Sequence, residues 1–178
     1  MRRMLTGACA ALLAVLAVAG CGSSSTTTAT DTWATGVCTA ITAWQTQLTS
    51  IEDTVKSGGV TQDSINSAVD QAQAATNDLA KSLKKLGKPD TQAGQQAKDD
   101  VQKLSDELSK GVKTIQDAVK GASGAAGVLS AVSTATGTLS TMISQVSTTI
   151  SDLQSLDPKG ELEQAFKKSS ACKPLLGS

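Results

Sequence analysis

Histidine and tyrosine are absent from this 178-residue chain, and two tryptophans and one phenylalanine are its only aromatic side chains. Without histidine, the commonest general base and the commonest neutral metal ligand are missing, which excludes most hydrolase and transition-metal designs. Arginine occurs only as Arg2 and Arg3. If both leave with a leader peptide, 14 lysines face 16 carboxylates and the net charge is −2 before the termini. No basic stripe, guanidinium fork or run of stacking aromatics remains for nucleic acid. A glycine-rich phosphate loop, a dinucleotide fingerprint and a nucleophile elbow are also missing. The chain therefore reads as non-enzymatic, with no cofactor and no nucleic-acid partner.

What is present begins at the N-terminus. Arg2 and Arg3 precede an apolar run over residues 8–19, followed by Gly20 and Cys21. Twelve residues span only ~18 Å as a helix against ~30 Å of bilayer hydrocarbon, so a cleaved leader fits better than a permanent anchor. Val18-Ala19-Gly20-Cys21 resembles a bacterial lipobox, in which small residues admit a signal peptidase and the cysteine thiol carries a diacylglyceryl thioether. The resemblance implies residues 1–20 as signal peptide, Cys21 as lipidated mature N-terminus, and a location on the outer face of the bacterial cytoplasmic membrane. It also implies palmitate-type acyl chains as the membrane partner. Two or three such chains, at ~0.8 kcal/mol per buried methylene, make dissociation negligible. The Ser/Thr-rich residues after Cys21 read as a tether ending at residue 31, with the folded domain over residues 32–178. In composition the chain is similar to small helical lipoproteins of actinobacteria that have no assigned activity.

Of the four cysteines, Cys9 lies in the leader and Cys21 takes the lipid. Cys38 and Cys172 remain, and two cysteines in an exported domain predict one disulfide.

From Trp33 onward apolar residues recur at helical spacing, which predicts an all-α domain. Val37, Ile41, Trp44, Leu48, Ile51 and Val55 form a 4-3 stripe ending at Gly58-Gly59. Thr61 is the expected cap of a second helix closing at Gly87-Lys88-Pro89, and a third starts near Asp90 and ends at Gly121. The fourth has no charge between Lys120 and Asp152, and 13 of residues 121–151 are Ser or Thr. Its stripe includes Val132, Leu139, Met142, Val146, Ile150 and Leu153, and it reads as too polar to span a bilayer. Asp157-Pro158 is the expected start of a short last helix carrying Cys172. These segments predict an antiparallel up-down-up-down four-helix bundle with a short fifth helix, closed by a Cys38–Cys172 disulfide.

Candidate surfaces are few. Trp33 and Trp44 read chiefly as core residues; Trp33, beside the tether, is the one placed to lie exposed. Together with Met142 they mark the ligand or docking surface. Helix three alternates in sign through Asp99, Lys103, Asp106, Lys110, Lys113, Asp117 and Lys120, a solvated face. Ser82-Leu-Lys-Lys85 and Ser170-Ala-Cys-Lys173 match S-x-x-K without the companion motifs of penicillin-recognising enzymes. The leading expectation is a membrane-anchored envelope lipoprotein displaying its bundle as an interaction module for a protein or cell-wall partner. The alternative is a carrier of a lipid or other apolar ligand. A cavity would separate the two. Cys21→Ala is expected to move the protein from the membrane to the soluble fraction; retention after a salt wash would overturn the lipid anchor.

Overall fold

The computed structural model describes residues 27–58 and 61–176. The expected signal peptide, Cys21 and the expected tether up to residue 26 lie outside the described residues. Among those described, five α-helices and one 3-10 turn account for the regular structure: α1 Ala29–Gly58, α2 Gln62–Leu86, α3 Gly94–Lys120, α4 Gly124–Ser155, α5 Glu161–Lys168, and the 3-10 turn Ser170–Leu175.

Local capping chemistry sets several of these boundaries. α1 starts before the stripe at Trp33 because Thr28 and Asp31 cap it reciprocally. Asp31 N–H donates to Thr28 Oγ1 at 3.0 Å, and Thr28 N–H donates to Asp31 Oδ2 at 2.9 Å. Two otherwise unpartnered donors are satisfied. Helix α1 therefore begins within the span read as tether through residue 31, and Thr30 is already buried. Thr61 and Ser64 form a similar box on α2 at 3.1 and 3.0 Å. α3 begins at Gly94, later than Asp90, because a turn intervenes in which a Cβ on Gly94 would collide with the Pro89 carbonyl oxygen. α5 likewise begins at Glu161, three residues after Pro158. Gly160 takes φ 68°, and the Asp157 carboxylate accepts from Lys159 N–H at 3.2 Å and Glu161 N–H at 3.0 Å. Cys172 lies in the 3-10 turn that follows.

Cross-helix bonds set the antiparallel register. Trp33 Nε1–H donates to Gly87 O at 3.2 Å and Trp44 Nε1–H to Thr76 Oγ1 at 3.0 Å, so α2 descends as α1 rises. Gln116 to Gln73 and Gln62 to Val119 O pair α2 with α3 in the same sense. α4 returns along α3, where a Cβ on Gly111 would come within 2.7 Å of Met142 Sδ. Each helix packs on its sequence neighbour, but α1 and α4 scarcely approach each other directly. α5 enters between them, burying Leu162, Ala165 and Phe166, and the 3-10 turn brings Cys172 to Cys38 with Cα atoms 5.0 Å apart. The expected disulfide is present, and the fold is the expected helical bundle.

By length and composition alone α4 is apolar enough to be a candidate for crossing a membrane. Alanine and valine offset the hydroxyls, several of which donate to the carbonyl four residues back, as in Thr136 to Val132 and Thr141 to Gly137. Its buried stripe from Met142 to Leu153 packs into the bundle core.

Removing the disulfide as Cys38→Ser with Cys172→Ser is expected to cost about 5 kcal/mol in the chain-entropy account of a loop this long. Urea unfolding measures it, and an unchanged midpoint would refute it. Asp31 supplies a pH signature. The Thr28 N–H foremost, with the Thr28 hydroxyl and the Lys168 ammonium, holds its carboxyl below the usual carboxylate value against an opposing effect of partial burial. A lowered folded-state pKa gives stability that is full above the unfolded value and lost as pH falls through the folded one. The stability gap between wild type and Asp31→Asn should be present at neutral pH and close on acidification below the usual carboxylate range; a gap independent of pH would contradict this.

Candidate functional site

The two ends of the bundle are packed differently. At the disulfide end one core joins Trp33, Ile41 and Trp44 of α1 to Leu79, Leu104, Ile150, Leu153 and Phe166. At the other end a smaller cluster contains Ile65 and Val69 of α2, Ile115 and Val119 of α3 and Ala131 of α4, and none of its residues comes from α1. There, among the described residues, no counterpart of α5 fills the space between α1 and α4.

The result is an apolar groove with a cavity of about 250 Å³. Leu48, Ile51 and Val55 of α1 form one wall, and Val132, Ala135 and Leu139 of α4 form the other. Ile65, Val69 and Ala72 of α2, with Val112 and Ile115 of α3, lie between them. Glu52 and Thr136 are the polar members of the lining, and both are exposed. The volume falls just below the ~300–1,000 Å³ of drug-sized sites, and suits one alkyl chain better than a bulky ring system. A lining that is aliphatic apart from Glu52 and Thr136 favours a ligand by dispersion and water exclusion. Among the described residues no three His, Cys, Asp or Glu side chains gather to hold a metal ion.

The residues singled out from sequence lie elsewhere. Trp33 is 3% exposed, buried edge-to-face against Phe166 at 6.1 Å, so it is a core residue and not an exposed one beside the tether. Trp44 is 1% exposed and tied to Thr76. Met142 is buried beneath a second, shallower depression of about 510 Å³ between α3 and α4, lined by Lys110, Gly111, Gly137, Thr138 and Thr141. None of the three lines the apolar groove. The charged face of α3 is exposed, with ion pairs Lys103–Glu107 at 3.9 Å and Lys113–Asp117 at 3.3 Å. Ser82, Lys85, Ser170 and Lys173 are exposed and lie outside the groove.

Sequence reasoning placed Leu48, Ile51 and Val55 on the apolar stripe of α1 but not at an opening. It also passed over Leu129 and Ile143, the exposed large apolar residues among those described, at 72% and 52%. Their signal was visible: both lie off the α4 stripe, seven residues either side of Thr136. No family model, curated protein or solved structure matches this chain, so the groove's chemistry rests on its own residues.

Proposed function

We propose that the chain is an exported lipoprotein, held by acyl chains on Cys21 at the outer face of a bacterial cytoplasmic membrane, whose bundle carries a lipid or other apolar ligand. The observation that supports the carrier reading is the groove between α1 and α4, where aliphatic side chains of those two helices stay partly exposed above a buried floor from α2 and α3. Filling it with an alkyl chain would bury those side chains without disturbing the disulfide end. The lipobox at residues 18–21 supports the anchor. The role is non-enzymatic, since binding needs only apolar walls and a polar rim.

A second reading, an interaction module for a protein or cell-wall partner, is favoured by the hydroxyl-lined depression between α3 and α4. There Thr134, Thr138 and Thr141 offer hydrogen bonds beside Lys110 and Glu107.

Native mass spectrometry separates the two. Exported Cys21→Ala protein, purified without detergent, is expected to carry an excess mass that is released on denaturation. Ala135→Trp, which fills the groove from α4, is expected to abolish it while leaving the helical circular dichroism unchanged. A bare wild-type protein, offered a lipid extract and still bare, would sink the carrier reading and leave the interaction module.

A further inference from the structure

Leu129, Thr136 and Ile143 recur every seven residues on α4, so they share one face within about 40° over two heptads. Thr136 lines the groove. Leu129 and Ile143 therefore continue its α4 lip on either side, and they are the large apolar side chains left exposed among the described residues. A carrier that only sheltered its ligand from water would gain nothing from placing exposed apolar residues beside its opening.

We infer that this lip of α4 rests on a lipid bilayer surface, so that the groove opens directly onto the membrane. The inference depends on the anchored-carrier reading above. Three observations select a bilayer as the occupant. The helix carries no charge between Lys120 and Asp152, so it approaches headgroups without desolvating an ion. Its hydroxyls include several that donate to the preceding turn, which lowers the cost of leaving water. The chain that joins Cys21 to α1, at the end opposite the groove, is also short enough to hold the bundle close to the surface. Residues 22–28 separate Cys21 from the start of α1, a contour of at most ~25 Å. That length lets the start of α1 lie against the headgroups, so the bundle can lie on its side and bring the lip down to the surface. Two apolar side chains alone give only marginal binding, but a lipid anchor makes docking intramolecular and raises the effective concentration of the surface. A ligand could then pass between bilayer and groove without crossing water.

The test uses the full lipidated protein reconstituted in neutral phosphatidylcholine vesicles with brominated acyl chains. With Cys38 and Cys172 bonded to each other and Cys21 acylated, a dye attached at Thr136→Cys reports on the lip, and one at Asn77→Cys, exposed on α2, serves as control. Quenching at the lip is expected to exceed the control by about twofold or more. Leu129→Ser with Ile143→Ser, both at exposed positions, is expected to remove the difference while the protein stays anchored. Equal quenching at the two sites, or a difference that survives the double substitution, overturns the docking. Energy transfer between lip dyes on separate molecules, in place of quenching, overturns it in favour of a second copy. Bound ligand by mass without the quenching difference refutes the docking alone; the quenching difference with a bare protein upholds the docking and refutes the carrier.

Discussion

The wedge formed by α5 between α1 and α4 is the constraint on which the rest of the molecule depends. Four amphipathic helices joined by short turns pack readily on their sequence neighbours, and that leaves the first and last as open edges. α5 closes one end by inserting Leu162 and Phe166, both fully buried, into the gap. The Cys38–Cys172 bond then ties the wedge to α1. Phe166 meets Trp33 edge-to-face, and Trp33 in turn bonds the carbonyl of Gly87, where α2 has just ended. One corner of the molecule thus joins α1, the end of α2, the wedge and the disulfide.

The wedge is short, and its length has a consequence at the other end. α5 is eight residues, about 12 Å of helix, whereas α1 has 30 residues and α4 has 32. Beyond its reach the edges of the row stay apart. α4 is also least buried there: Ala131 is its sole buried residue before Met142 among those described. Fewer buried contacts mean lower local stability, so the groove lies in the half of the bundle best able to yield to a ligand. The crosslinked half can stay fixed while the other adapts.

Much of this architecture was legible from residue spacing. The 4-3 alternation of Val37, Ile41, Trp44 and Leu48 marks a helix because 3.6 residues per turn brings those positions to one face. Thr61 as a cap and Gly87 as a stop were readable because each performs a local task on the backbone next to it. Apolar spacing by itself puts the start of α1 too late, because Thr28 and Asp31 sit in a polar run that looks like tether. Their reciprocal bonds leave no mark in the hydrophobic pattern. Trp33 and Trp44 stand out in an aromatic-poor sequence, yet both bury their rings and satisfy their N–H groups within the core.

The groove escaped that reading for a different reason. Apolar periodicity says which face of a helix avoids water, and it reads the same for Trp44, which α2 covers, as for Val55, which lines an opening. Coverage depends on how far a neighbouring element extends, a long-range property with no counterpart in local spacing. Helix content, the cysteine pairing and the apolar faces follow from local periodicity and from the few cysteines that remain in the domain. Which part of each face stays uncovered follows from packing, because the eight-residue wedge can fill only one end of the space between two helices of about 30 residues.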